Sequence, residues 1–193
     1  MATEVYTFHV TYNGLEEKLW RTIEISSRYP LDRLGYCILA TFDTMACHLF
    51  SFEYQNQRFC LPVNVSQNRD MKSVRLEQLR LKAGESMEMV YDFGTEQHFH
   101  LVLKEISPMK RGRGNHYPWI LAGEGRGILD GYPSEILAES IARIDLYGKT
   151  EEEIHYKEYR IPWDYRDYSL ESDNILLKGE IQTIEENYFP LWE

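Results

Sequence analysis

The chain of 193 residues is poor in cysteine, has no long apolar run and carries too few basic residues to balance its acidic ones. Each lack closes off a class of function. The three cysteines, Cys37, Cys47 and Cys60, are odd in number and form no Cys-x-x-Cys pair, which fits reduced thiols better than a disulfide framework. They read as small core hydrophobes. No apolar stretch approaches the roughly 18–20 residues that cross a bilayer, and Met1-Ala2-Thr3-Glu4-Val5-Tyr6 lacks the basic-then-apolar order of a secretion signal. The expected location is the cytoplasm, with no membrane partner. Lysine and arginine total 21 against 31 aspartates and glutamates, a formal net charge of −10. An acidic chain repels phosphate backbones at long range, which disfavours general nucleic-acid binding.

What is present is ample material for a core: 43% hydrophobic and 13% aromatic residues, with 14 tyrosines suited to half-buried strands. Most of the acidity falls after Asp145, where 13 acidic residues face 5 basic ones. One domain over 1–193 is expected, with an acidic C-terminal portion packed on it.

Alternation along Val5–Tyr12 puts Tyr6, Phe8, Val10 and Tyr12 on one face, a strand signature, and Asn13-Gly14 supplies a turn into a second strand over Lys18–Ser26. From Pro30 the apolar period becomes helical, predicting a helix over 30–43. His48–Tyr54 and Arg58–Val63 read as paired strands, Asn64–Lys72 as a loop and Val74–Leu81 as a short helix. Ser86–Phe93 and Gln97–Ile106 flank Gly94-Thr95-Glu96, a second hairpin. Pro108–Gly131 holds six glycines and two prolines and predicts a long loop. Pro133–Tyr147 is helical up to Gly148, Glu151–Tyr168 carries no assignable pattern, and Asp173–Tyr188 predicts a helix capped by Ser172 or Asp173. The expected fold is α+β: an antiparallel sheet of about six strands, helices on one face, a long glycine-rich loop and C-terminal helices.

Four signals stand in order along the chain: Trp20-Arg21, His48-Leu49-Phe50-Ser51-Phe52, Tyr91-Asp92-Phe93-Gly94 and Gly123-Glu124-Gly125-Arg126-Gly127-Ile128-Leu129-Asp130. Their order and spacing resemble the plasmid pRiA open-reading-frame-three-like family, from about Val5 to Leu137. The resemblance implies an α+β core over 1–137, a helical extension over 138–193 and no established activity; some such proteins look like passengers of transposable elements. Many relatives follow the Tyr-Asp-Phe-Gly turn with an Asp, a Trp and a His, where this chain reads Thr95-Glu96-Gln97-His98-Phe99. Any polar site built on those residues is altered here.

Candidate chemistry is sparse. His98 and His100 share one face of a strand, and His48 with Cys47 or Cys60 would be needed to complete a zinc site. Two histidines on a solvated face are the simpler reading, so neither metal nor cofactor is expected. Cys47 and His48 are neighbours and point to opposite sides of an extended chain, which argues against a nucleophile–base pair. The glycine run matches neither phosphate-loop pattern, and Glu124 would repel a phosphate. Lys110, Arg111 and Arg113 lie beside His116, Tyr117 and Trp119, the ingredients of single-strand nucleic-acid binding. The leading expectation is a non-catalytic binding protein for a protein or small-molecule partner, with His48, Tyr91, Asp92, Trp119, Glu124 and Asp130 as candidate ligand-binding residues. The alternative is a mobile-element-associated nucleic-acid-binding or metal-dependent hydrolytic protein.

Overall fold

The computed structural model describes residues 3–61, 69–128, 130–149, 155–156 and 161–188. The elements run β1 (Glu4–Tyr12), β2 (Trp20–Ser26), α1 (Leu31–Thr41), β3 (Phe50–Tyr54), β4 (Gln57–Cys60), β5 (Arg69–Asp70), β6 (Ser86–Tyr91), β7 (Gln97–Pro108), β8 (Trp119–Glu124), α2 (Ser134–Tyr147), β9 (His155–Tyr156), β10 (Ile161–Pro162) and α3 (Leu170–Tyr188). Eight strands form one mixed sheet in the order β5-β4-β3-β6-β7-β1-β2-β8, and β9 pairs with β10 separately. Every pairing in the large sheet is antiparallel except β4 with β5.

One face of the sheet is apolar because the period-2 pattern is sustained: Phe8, Phe52, Met89, Phe99 and Leu101 all have essentially no exposed surface. The helices cover that face. Leu34 and Ile38 of α1, Leu137, Ile141 and Ile144 of α2, and Leu177, Ile181 and Ile184 of α3 join the same core cluster. The opposite face keeps Glu88, His98 and His100 half-exposed.

Several expectations need correcting. The sheet has eight strands rather than about six, and β8 lies within the stretch read as a long loop. There Gly123, Gly125 and Gly127 mark close approach rather than freedom. A β-carbon at Gly125 would collide with the Lys18 carbonyl and the Leu19 side chain, at a φ of 76° that already disfavours other residues. Gly125→Ala is therefore expected to cost at least about 2 kcal/mol in urea unfolding; a loss near zero would mean that the β8 turn is loose. The short helix expected over Val74–Leu81 is a 3₁₀ helix at Leu76–Leu79, whereas Arg69–Asp70, expected within a loop, is a strand. Positions 62–68, part of the expected strand and loop, fall outside the described residues. Cys37 and Cys60 are buried, but Cys47 is exposed and is no core residue.

The last helix begins at Leu170, and its first turn is tied by Ser169, whose hydroxyl accepts the Ser172 N–H at 3.3 Å and whose carbonyl accepts that of Asp173 at 2.9 Å. Asp173 is no cap because its carboxylate turns inward, to Arg21.

Candidate functional site

Three segments meet at one end of the sheet on its helix side: the chain entering β3, the end of β6 and the stretch after β8. Asp92, in the left-handed region at φ 54°, closes the β6–β7 hairpin; its carboxylate accepts the Gly94 N–H at 3.1 Å and the Thr95 hydroxyl at 2.7 Å. Burial pushes this carboxyl up, but the Thr95 and Gly94 bonds and the neighbouring His48 outweigh it and hold it below its usual range. His48 Nδ1 stands 3.7 Å from Asp92 Oδ1, and its ring packs edge-on against Tyr91. The Tyr91 hydroxyl donates to Asp130 Oδ2 at 3.0 Å, the Met45 N–H donates to the same oxygen at 2.7 Å, and the Tyr188 hydroxyl donates to the His48 carbonyl. Four of the six candidate residues, His48, Tyr91, Asp92 and Asp130, thus converge.

Chemically this knot holds a loop in place. Burial and the charge of Asp130 raise the Cys47 thiol beside it, the wrong direction for a nucleophile, and the carboxylate oxygens of Asp92 are engaged in its turn.

The other two candidates lie elsewhere. Trp119 and Glu124 sit on β8, separated from β6 by β7, β1 and β2, so neither joins the four residues around Tyr91. Glu124 is exposed, while Trp119 stacks on His116 at 4.6 Å. Lys110, Arg111 and Arg113 are exposed on the segment leading to that stack. His98 and His100 face the open side of the sheet, away from His48, and among the described residues no group of three His, Cys, Asp or Glu is arranged to hold a metal ion.

Sequence reasoning passed over Arg21 as a functional group. Arg21 is wholly buried under α1, with donors to the carbonyls of Trp20 (2.9 Å), Thr41 (2.9 Å), Glu124 (2.7 Å) and Gly125 (2.7 Å) and to the Thr41 hydroxyl (3.0 Å). Its guanidinium lies 3.9 Å from the Tyr168 ring centroid and 3.4 Å from Asp173 Oδ2. Burial lowers the guanidinium's proton affinity, and Tyr168 and Asp173 oppose that shift. A signal was available, since Arg21 shares a strand face with Ile23 and Ile25, and a charge on an inward face demands partners.

The open face of the sheet carries a cleft of about 820 Å³, lined among others by Glu53, Arg58, Glu88, Phe93, His98 and His100. The register places Glu53 directly opposite Glu88, and Glu88 opposite His100, to which it is hydrogen-bonded. Arg58 stands 3.9 Å from Glu53 and 5.2 Å from the Phe93 ring centroid. Two carboxylates therefore face each other across adjacent strands, an arrangement that costs free energy.

Arg21 on β2 and the glycine-rich stretch it binds, with the Tyr91–Asp92 hairpin, fall inside residues 4–136, which match the family described as plasmid pRiA4b ORF-3-like protein. The chain belongs to this family. Comparison with curated proteins gives no match. Among solved structures, the crystal structure of a protein of unknown function from Methanosarcina mazei Go1 is similar, with a TM-score of 0.67 and 21% identity over 77% of this chain and 85% of that one. At that identity the likeness shows the fold alone. The plasmid pRiA4b ORF-3-like match ends near the start of α2, so α3, which supplies Asp173 to Arg21 and Tyr188 to His48, lies beyond it.

Proposed function

We propose that this protein is a non-catalytic binding protein of the cytoplasm, folded as one domain, whose open sheet face receives a cationic ligand such as a basic peptide or a polyamine. The observation that carries this reading is the cleft in which Glu53 and Glu88 oppose each other, with Phe93 exposed at its wall. A ligand cation placed between the carboxylates relieves their repulsion, and an aromatic wall adds a face for it to lie on. His48, Tyr91, Asp92 and Asp130 serve this site by position: they lock the hairpin that carries Phe93 and Glu96 to the cleft. The hydrolytic alternative is less supported, because Glu124 lies on the edge strand β8, far across the sheet from the β6–β7 turn that carries Asp92, and Cys47 is a poor nucleophile. Nucleic-acid binding rests on Lys110, Arg111 and Arg113 alone, within a chain of net charge −10.

Titration calorimetry with spermidine and with lysine- and arginine-rich peptides tests the reading. Binding that falls about tenfold in the Glu53→Gln/Glu88→Gln double variant, and weakens with added salt, is the expected result. Equal affinity in wild type and variant would overturn it.

A further inference from the structure

At the far edge of the sheet, a groove of about 500 Å³ runs between β8 and the first turns of α3, lined by Trp119, Ile120, Leu121, Leu170 and Ile175 among others. It leaves apolar surface in water: Leu121 is 45% exposed and Ile175 72%. Asn174 crosses its floor. The Asn174 amide accepts the Ile120 N–H at 2.9 Å and donates to the Ile120 carbonyl at 2.9 Å, taking the place a neighbouring strand would occupy. Strand addition is blocked at that residue, and the groove offers side chains instead of main chain.

Along α3, the exposed stripe beside the groove is Glu171, Ile175, Lys178 and Gln182, at helical spacing. Its charges are placed symmetrically: Glu171 lies three residues before Asn174 and Lys178 three after Ile175. If this helix packs antiparallel to its own copy about a two-fold axis between positions 174 and 175, the two Ile175 side chains flank the axis, each opposite Asn174 of the other copy. Glu171 of each copy then faces Lys178 of the other. An isologous contact requires this reciprocity, in which i meets j and j meets i, whereas an unrelated partner does not. Lys178 spans to the Asn115 carbonyl in the single chain and is exposed, free to turn to a second copy.

We propose that the α3–β8 face is a homodimer interface, in which a second copy of the chain packs α3 antiparallel to α3, burying Ile175, Leu170 and Leu121 and pairing Glu171 with Lys178 in both directions. This surface lies at the opposite side of the sheet from the proposed ligand cleft, so the two readings stand or fall separately.

Sedimentation velocity of the full chain over a concentration series to about 1 mM is expected to show a monomer–dimer equilibrium. A monomer at every concentration would overturn the proposal. Ile175→Asp, Glu171→Lys and Lys178→Glu should each raise the dissociation constant at least about tenfold, since every such change acts twice in a two-fold dimer. The combined Glu171→Lys/Lys178→Glu variant should regain the wild-type constant within about threefold. Leu146→Asp, on the exposed end of α2, should leave it unchanged, and circular dichroism confirms that each variant is folded. Loss of the dimer in both single reversals without recovery in the pair would refute the antiparallel register, and a dimer indifferent to Ile175→Asp would refute the surface itself.

Discussion

Arg21→Met is expected to lower the unfolding free energy by about 3–5 kcal/mol. The guanidinium is fully buried, and its donors reach carbonyl oxygens on β2, at the end of α1 and in the stretch that leaves β8. Methionine fills much of the volume but donates nothing, so those oxygens stay buried without a partner, at about 1–3 kcal/mol apiece where water does not reach them. Asp173 is the second casualty. Burial already raises its carboxyl, opposed by the Thr41 hydroxyl at 2.5 Å, by Arg21 and by Tyr168 at 3.0 Å; without Arg21 it takes up a proton more readily still. Asp173→Asn should therefore cost much less in the Arg21→Met background than in the wild type, a coupling that a double-mutant cycle in urea reads directly. Arg21→Lys should not rescue, because one ammonium cannot serve both the Trp20 and Glu124 carbonyls held by Nη1 and the Thr41 and Gly125 carbonyls held by Nη2, as the planar fork does. A loss below about 1 kcal/mol for Arg21→Met would show that the buried cation is dispensable to the fold.

Asp32→Asn should move stability the other way. Asp32 stands in the first turn of α1, only 3% exposed, and its Oδ1 has no hydrogen-bond partner among the described residues. Burial, helped by the charges of Glu185 and Asp70, pushes its carboxyl up to about 6 from an ordinary 3.8, against the pull of the Arg33 N–H and Lys72. The folded state thus binds this proton more tightly than the unfolded chain does. Its contribution is most favourable below the unfolded value and is lost as pH rises toward about 6; above that, the buried charge costs about 3 kcal/mol. At pH 7.5, Asp32→Asn is expected to stabilise by about 1–3 kcal/mol, the lower figure allowing for the loss of a favourable charge at a helix N-terminus. The variant should also lose the rise in stability that the wild type shows as pH falls from about 6 to about 4. Urea unfolding at several pH values measures both, and a wild-type profile no steeper than the variant's would contradict the assignment.

The two effects differ in legibility. Arg21 sits in a strand whose inward positions read apolar, and the conflict between its charge and that face was visible in the sequence; the partners that resolve it come from Thr41, Glu124, Gly125 and Asp173, as much as 152 positions away. Asp32 follows Pro30 in a first helical turn, where an acidic residue is ordinary, so nothing local marks it as buried. Its burial follows from how the chain beyond β5 and the end of α3 close over it. Of the candidate site residues, His48, Tyr91, Asp92 and Asp130 do come together, but no period or spacing placed Asp130 beside Tyr91; that contact exists because the stretch after β8 folds back across the end of the sheet.

The opening scarcities of the chain and its local patterns were enough to determine an α+β fold, the first hairpin, α1, the β6–β7 hairpin, α2 and the family. Those features depend on periodicity and turn chemistry, which neighbours in sequence settle among themselves. Tertiary structure alone decided that glycine-rich residues form an edge strand, that Asp173 faces inward instead of capping α3, that Glu124 stands apart from Asp92, and that Glu53 meets Glu88 on an open face. Each of these turns on whether a distant backbone or charge is within a few ångströms, and closeness of that kind is created by packing, which no local pattern encodes.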